Sequence, residues 1–182
     1  GPVHFKADSL TVNNTTFNNS AILEKTGDQK NWGGNTFNGV TTIARGGAGF
    51  LFLGYPSPDT YNNDVTFTNL DGDNHIYVNQ GGAHTDFKGN IFVNAIGIRG
   101  IFFNLSTGSS STLAVGKTIS VGTLGYAQAG LVLNSFTQLG AEPLEFLFTG
   151  INQALVIDGN SVFNGPVHFK ADSLTVNNTT FN

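Results

Sequence analysis

Two glutamates, Glu142 and Glu145, stand close enough in the sequence to suggest acid–base chemistry. Glycoside hydrolases cut sugar polymers with two carboxylates that lie about 5–9 Å apart in a cleft. A carbohydrate-active β-helix enzyme is therefore one hypothesis. On a β-strand, however, such a pair is usually part of an exposed face, and no other carboxylate stands near it in the sequence. We therefore expect no catalytic role for these two residues.

The histidines and serines add no catalytic or metal-binding motif. His168 is a copy of His4 in a repeated segment, which leaves His4, His75 and His84 as the distinct histidines. None of them belongs to a zinc-binding pattern, and His4 is expected to point outward from an alternating strand. The serines at 109–111 lie in a polar segment without a Gly-x-Ser-x-Gly elbow. We predict a protein that is not an enzyme and that has no cofactor and no metal site.

Two glycine-containing segments could bind ions. Asp71, Asp73 and Asn74 lie in a Leu-Asp-Gly-Asp-Asn segment and offer oxygen atoms of the kind that calcium prefers. The complete twelve-residue calcium loop is absent, so we favour a tight Asp-Gly turn between two strands. Residues 45–49 (Arg-Gly-Gly-Ala-Gly) resemble a phosphate-binding loop only in glycine content, because the Gly-Lys-Ser/Thr ending is missing. They are predicted to form a corner of the chain.

Three aromatic residues, Trp32, Tyr55 and Tyr61, could contact a ligand. Trp32 lies in a glycine-rich turn, and the two tyrosines bound a segment with two prolines and no strand pattern, which predicts a projecting loop. Tyr and Trp are frequent contact residues at binding surfaces. A carbohydrate- or cell-binding adhesin domain is therefore a second hypothesis. The alternative is that these rings pack locally over a corner of the fold.

The composition excludes several classes of partner. Of the 182 residues, 8 are basic and 12 are acidic, and the net charge is −4. Nucleic acid binding needs clustered Lys and Arg, and a membrane anchor needs either such a cluster or a long apolar segment. We therefore expect no nucleic acid partner and no membrane insertion. The 24 glycines, 22 asparagines and 20 threonines instead indicate turns and strands.

The sequence repeats itself at its two ends. Residues 1–18 (GPVHFKADSLTVNNTTFN) recur without change as residues 165–182, so that position 165 corresponds to position 1. We expect residues 1–164 to be one full tandem repeat and residues 165–182 to be the start of the next repeat within a longer protein. We also expect continuous packed β structure across the junction. The chain contains neither Cys nor Met, and the lack of oxidisable sulfur suits an extracellular protein.

Short strand candidates at near-even spacing predict an all-β fold without helices. The candidates are residues 3–5, 10–12, 21–23, 41–44, 50–53, 65–68, 75–78, 91–93, 100–105, 113–115, 118–121, 130–133, 144–148 and 154–157. We favour a β-solenoid-like repeat with Gly and Asn corners. An intertwined multi-chain β fibre and tandem β-sandwiches are the alternatives.

A recurring phenylalanine motif favours the solenoid. Phe17, Phe37, Phe87 and Phe163 are each followed by a polar residue, then Gly or Asn, and then a strand-like segment. This order predicts an inward ring, a corner with left-handed backbone and an alternating strand. Phe67 follows Phe17 by 50 residues, as Phe87 follows Phe37, which suggests a 50-residue duplication. Anchors 20 or 30 residues apart would each mark one coil, giving about eight coils per repeat.

Three segments carry a resemblance to known proteins: residues 110–122 (SSTLAVGKTISVG), 135–140 (SFTQLG) and 161–169 (SVFNGPVHF). They resemble repeat segments of giant secreted surface proteins of gliding marine bacteria of the Bacteroidota type, and among these most specifically the grappling-hook filament proteins of predatory filamentous bacteria. The resemblance implies an extracellular filament built by several identical chains, with the repeats as its shaft. The resemblance does not assign a functional role to any residue of this chain.

The sequence as a whole therefore predicts a structural repeat of a long extracellular filament or adhesin shaft. Its partners would be identical neighbouring repeats and identical chains, with a target-cell surface or a glycan as a further candidate. The function would be mechanical, because stacked strands and packed aromatic rings transmit force and set the reach of the filament.

Overall fold

The computed structural model describes residues 1–70, 73–148 and 150–182, and all regular elements in this part of the chain are β-strands. The strands wind into a β-solenoid, in which successive coils stack their strands in parallel sheets. The predicted all-β, solenoid-like fold is confirmed. We call the three sides of the solenoid the first, second and third face, in the order in which the chain visits them in each coil.

The first face carries strands of about five residues that alternate between core and solvent. The ladder of the first face is interrupted once, after β15. The pairing of β15 with β12 is itself irregular, because the register shifts between Val93 and Ala95 of β12. The strands of the first face are β1 (Val3–Ala7), β3 (Ala21–Lys25), β6 (Thr41–Arg45), β9 (Val65–Asn69), β12 (Ile91–Ala95) and β15 (Ile119–Tyr126), and beyond the interruption β18 (Leu144–Leu147) and β21 (Val167–Lys170).

The second and third faces have uninterrupted ladders of seven and eight strands. The second face consists of β4 (Lys30–Trp32), β7 (Leu51–Leu53), β10 (Ile76–Val78), β13 (Ile101–Phe103), β16 (Gly130–Asn134), β19 (Ala154–Asp158) and β22 (Ser173–Val176). The third face consists of β2 (Thr16–Phe17), β5 (Thr36–Phe37), β8 (Thr60–Tyr61), β11 (His84–Phe87), β14 (Ser110–Leu113), β17 (Phe136–Gln138), β20 (Val162–Phe163) and β23 (Thr180–Phe181).

A residue with left-handed backbone sets the corner between the second and third faces. Gly54, Asn79, Asn104 and Ser135 each follow a second-face strand directly, with φ of 65°, 58°, 59° and 49°. Glycine and asparagine tolerate this conformation better than other residues. Asn79 and Asn104 lie one above the other, and Asn79 Nδ2 donates to Asn104 Oδ1 at 2.8 Å. The corner therefore explains part of the high content of both residue types.

The glycines of the phenylalanine motif have a different role from the predicted one. Gly39 and Gly89 do not adopt left-handed backbone, so the prediction of a left-handed corner after each Phe is wrong. A Cβ on Gly39 would lie 2.3 Å from the carbonyl carbon of Asn19, and a Cβ on Gly89 would lie 2.1 Å from that of Asn63. Glycine is required here because the backbones of neighbouring coils approach closely.

The core is built from side chains that occupy the same position in successive coils. On the third face, Phe17, Phe37, Tyr61 and Phe87 form a column with ring centroids 4.9–5.2 Å apart and interplanar angles of 4–12°. In-register parallel pairing creates this column, because it places each residue over its counterpart one coil away. Burial of these rings supplies a large share of the apolar stabilisation.

The five predicted phenylalanine anchors are all buried, but they do not form one series. Phe17, Phe37, Phe87 and Phe163 lie on the third face, whereas Phe67 lies in β9 on the first face. The column position between Phe37 and Phe87 is occupied by Tyr61 instead. The proposed 50-residue correspondence of Phe17 with Phe67 is therefore wrong. For Phe37 and Phe87 the same spacing spans two coils.

Coil length varies along the chain. Asp8 and Thr26 occupy equivalent positions on neighbouring coils and are 18 residues apart, and their side chains hydrogen-bond to each other. Asn90 and Thr118 are related in the same way but are 28 residues apart. No single spacing between anchor residues can therefore mark every coil.

The distance between the two copies of the repeated segment is seven interstrand steps. Along the third face, Phe17 and its copy Phe181 lie at the two ends of the eight-stranded ladder, which places seven steps between them. Residues 1–164 thus correspond to seven steps rather than to the predicted eight coils. The difference arises because most coils are longer than the shortest anchor spacing.

Replacement of a ring inside the column tests the importance of the core. Phe37 is 1% exposed and stacks between Phe17 and Tyr61, so we expect Phe37→Ala to lower the free energy of unfolding by about 3–5 kcal/mol. Val115, which is 69% exposed, provides the control, and Val115→Ala should change the free energy of unfolding by less than about 0.5 kcal/mol. Urea denaturation measures both. Equal midpoints for the two variants would contradict this description of the core.

Candidate functional site

The two glutamates considered as a catalytic pair lie in different environments. Glu145 is exposed on β18 and lines an open cleft of about 480 Å³ together with Ser120 and Leu147. The carboxylate of Glu142 instead packs against Gly140, and its Oε2 atom is buried. The structure does not bring the two carboxylates together at one cleft.

A contact between serine, histidine and aspartate lies on the outer side of the third face, and sequence reasoning missed it. His84 Nδ1 is 2.8 Å from Ser110 Oγ, and His84 Nε2 is 3.1 Å from Asp86 Oδ1. The Thr112 hydroxyl also donates to Asp86 and lowers the pKa of this carboxyl, with a smaller contribution from His84. The side chains of His84 and Asp86 are 47% and 57% exposed. Hydrolytic triads act in desolvated sites with oriented N–H donors, so we interpret this group as a surface hydrogen-bond network.

The other histidines are surface residues. His4 and His168 are exposed, which confirms the outward orientation predicted for His4. His75 belongs to a strip of rings on the outer side of the second face, where it stacks on Phe102 with centroids 4.1 Å apart. Partial burial lowers the pKa of His75, and Arg99 adds to this effect. In the same strip Phe52 and Tyr77 stack at 4.9 Å.

The glycine-rich segment 45–49 is a corner, as predicted. It differs from a phosphate-binding loop because it presents carbonyl oxygens instead of N–H groups. The Arg45 guanidinium donates to the carbonyl of Gly49 at 2.8 Å and to Asn69 Oδ1 at 2.8 Å. The ammonium group of Lys25 donates to the carbonyls of Ala48 and Gly49. The segment thus directs carbonyl oxygens towards two buried cations, whereas a phosphate cradle would direct N–H groups towards an anion.

The proposed calcium ligands lie partly outside the described residues. Asp71 and Gly72 are not described, so the choice between a calcium site and an Asp-Gly turn stays a prediction. Within residues 1–70, 73–148 and 150–182, no group of three or more His, Asp or Glu side chains could hold a metal ion. The same ranges contain no helix long and apolar enough to cross a membrane.

Of the three aromatic residues proposed to contact a ligand, only Tyr55 is accessible. Trp32 is completely buried, and its Nε1 donates to the carbonyl of Leu10 at 2.9 Å. Tyr61 is 1% exposed and belongs to the core column, and its burial raises the pKa of its hydroxyl. Tyr55 is 45% exposed, but its segment does not project as predicted, because the Tyr55 N–H donates to the Trp32 carbonyl at 3.1 Å and the Gly34 N–H donates to the Ser57 carbonyl at 2.9 Å. The hypothesis of local packing is therefore correct for Trp32 and Tyr61.

A buried aspartate also fastens this segment, residues 54–59, to the solenoid. Asp59 is 3% exposed, and its Oδ1 accepts from the backbone N–H of Asn35 at 2.8 Å and from Asn35 Nδ2 at 3.0 Å. Its Oδ2 accepts from the backbone N–H of Gly54 at 2.8 Å. Desolvation outweighs these donors and raises the pKa of Asp59 to about 6. The segment that carries Tyr55 is therefore held at both ends.

The repeated segment forms one further coil of the solenoid. Its strands β21, β22 and β23 pair in parallel with β18, β19 and β20 of the preceding coil. An asparagine with left-handed backbone conformation recurs at the same position in both copies, with φ of 50° at Asn14 and 44° at Asn178. The copies differ on the second face, where residues 173–176 form β22 but residues 9–12 form no strand. The second copy has β19 as a pairing partner there.

Asparagine ladders run along the outside of the solenoid near both ends of the chain. Asn38 Nδ2 donates to Asn18 Oδ1 at 3.0 Å, and Asn62 Nδ2 donates to Asn38 Oδ1 at 2.7 Å. In the last coil, Asn182 Nδ2 donates to Asn164 Oδ1 at 2.7 Å. Asn182 is the copy of Asn18, so the two ladders have the same position and the same direction of donation.

Gly165, the first residue of the second copy, tests whether the junction is packed. A Cβ on Gly165 would lie 2.4 Å from the carbonyl oxygen of Glu142, whereas a Cβ on Gly1 would meet nothing within 4 Å. We expect Gly165→Ala to lower the free energy of unfolding by about 1–3 kcal/mol, and Gly1→Ala to leave it unchanged. Thermal denaturation of both variants measures this difference. Identical melting curves would show that residues 165–182 are not packed as described.

The raised pKa of Asp59 makes stability depend on pH. The folded protein takes up a proton on Asp59 near pH 6, whereas the carboxyl in the unfolded chain does so near its ordinary value of 3.8. The contribution of Asp59 to stability is therefore fully present below about 3.8 and is lost as the pH rises through about 6, by roughly 3 kcal/mol in total. An NMR titration of the Asp59 carboxyl carbon should show a midpoint near 6. A midpoint at or below the ordinary value would contradict this expectation.

Comparison of the chain with protein family models, with curated proteins and with solved structures finds no match. The function must therefore be inferred from the geometry of the solenoid itself. Two features stand out in that geometry: the repeated coil with its in-phase ladders, and the outer surface of the second face around Tyr55.

Proposed function

We propose that this chain is a structural, non-enzymatic repeat of a long extracellular filament or adhesin shaft. The observation that carries the proposal is the identity of residues 1–18 with residues 165–182, together with the packing of the second copy as an ordinary coil. A segment that begins a repeat and also stacks on the end of the same repeat is suited to joining repeats without a flexible linker.

Two columns of side chains would be continuous across such a junction. Phe163 stacks on Phe181 at 5.5 Å, and Phe181 is the copy of Phe17, which begins the column that continues through Phe37 and Tyr61. The asparagine ladder would be continuous in the same way. The junction would then be reinforced by the same ring stacking and amide hydrogen bonds as the interior of the repeat.

The proposed mechanism is mechanical. Ladders of backbone hydrogen bonds run along the axis on the three faces, and buried columns of apolar side chains fill the interior. The partners would be the neighbouring repeats of the same protein, whose coils cover the otherwise open sheet edges, and further identical chains. The absence of cysteine and methionine supports an extracellular location, because neither side chain is then available for oxidation.

A recombinant chain of three consecutive copies of residues 1–164 tests this proposal by electron microscopy. Seven interstrand steps per repeat at about 4.8 Å each predict a straight rod with an axial repeat of about 34 Å. Isolated globules joined by flexible segments would contradict the proposal. A thicker cylinder with rotational symmetry and the same axial spacing would indicate a shaft assembled from several chains.

A further inference from the structure

A groove with the composition of a ligand site opens on the outer surface beside the second face. Its volume is about 260 Å³, and its lining combines two aromatic rings, three amides and two hydroxyls. The lining side chains are Gln29, Asn31, Phe52, Tyr55, Gln80 and Ser106. None of them is charged, in contrast to the His84–Asp86 network on the third face.

Among the described residues, Phe52 has a stacked ring on one side only, while Phe50 meets it at a tilt of 49° with centroids 5.8 Å apart. Asn31 and Phe52 occupy the same position on neighbouring strands of the second face. Tyr77 follows in the next strand and covers one side of Phe52, with centroids 4.9 Å apart and an interplanar angle of 14°. The neighbour on the other side of Phe52 is Asn31, which has no ring. Tyr55, 45% exposed, adds a second ring from a segment that Asp59 fastens to the solenoid.

An amide at the edge of the groove lacks a hydrogen-bond partner for its donor group. Gln80 is 9% exposed, and its Oε1 accepts from Ser106 Oγ at 2.9 Å. Its buried Nε2 atom has no partner among the described residues. A buried donor without an acceptor is unfavourable, and native proteins rarely leave one unless a ligand or water supplies the acceptor. An acceptor oxygen on a molecule in the groove would satisfy this donor, as would a bound water, so Gln80 adds a polar contact that is independent of the rings.

We propose that this groove binds a neutral sugar residue. The apolar face of a pyranose would pack against Phe52 and Tyr55, and its hydroxyl groups would pair with the amides of Gln29, Asn31 and Gln80, since amides both donate and accept hydrogen bonds. An uncharged lining offers no opposite charge to a phosphate, a carboxylate or a basic peptide. The volume lies just below the range of about 300–1,000 Å³ usual for ligand pockets, which suits one sugar ring.

The proposal goes beyond the shaft function and does not depend on it. A shaft without a sugar site and a sugar-binding domain outside a filament are both conceivable, so the two proposals fail separately. If both hold, each repeat of the shaft presents one sugar site, and attachment along the filament becomes multivalent. Multivalent binding compensates for a weak affinity at each single site.

The test uses the 182-residue chain and a panel of neutral monosaccharides and disaccharides, with glucose, galactose, mannose and N-acetylglucosamine as the monosaccharides. NMR titration at millimolar sugar should shift the signals of Phe52, Tyr55 and Gln80. We expect Tyr55→Ala and Gln80→Leu each to weaken binding at least tenfold. Gln80→Leu also removes the acceptor of the Ser106 hydroxyl, so its melting temperature is measured to separate lost binding from lost stability. The control is Leu105→Ala, an exposed neighbour outside the groove, which should bind like the unchanged chain.

Three outcomes would overturn the proposal. The first is that no neutral sugar shifts the signals of the groove residues. The second is that sugar binds but Tyr55→Ala and Gln80→Leu bind as well as Leu105→Ala, which would place the site elsewhere. The third is that the groove residues shift only with protein concentration, measured alongside sedimentation velocity. That result would assign this surface to contacts between copies of the chain.

Discussion

The in-register parallel ladder is the constraint on which the rest of this structure depends. Each coil pairs its backbone with the coils on either side, at a spacing of about 4.8 Å. Within the paired strands, each side chain therefore lies over the residue at the same position one coil away and must be compatible with it. Rings such as Phe17 and Phe37 stack, and amides such as Asn18 and Asn38 hydrogen-bond. Like charges in such a column would repel one another, which is consistent with a charged content of only 11%.

The sequence allowed the fold class and most first-face strands to be predicted, because five-residue strands show a clear alternation of buried and exposed positions. Third-face strands such as Thr36–Phe37 were missed, since two residues contain no periodicity. The groove and the His84–Ser110 contact could not be predicted for another reason. Their residues come from different coils, and because the coils differ in length the sequence alone does not specify which side chains become neighbours.

The solenoid separates its two proposed roles in space. Inward positions of the second and third faces carry side chains that repeat from coil to coil, and these stabilise the shaft. Outward positions are free of that requirement, and there the sequence changes from Asn31 to Phe52 to Tyr77 along a single column. The groove lies where this column changes from amide to ring. A site can thus be introduced at one coil without disturbing the ladder that holds the coils together.

The interruption of the first-face ladder after β15 has a consequence for the elasticity of such a rod. The second and third faces remain hydrogen-bonded past this level, while on the first face Ile119–Tyr126 and Leu144–Leu147 lie side by side without a ladder between them. A beam with two intact walls and one notched wall bends most readily in the plane through the notch. In a tandem array the notch would recur once per repeat, on the first face of each repeat. The rod would then have a bending stiffness that varies periodically along its length.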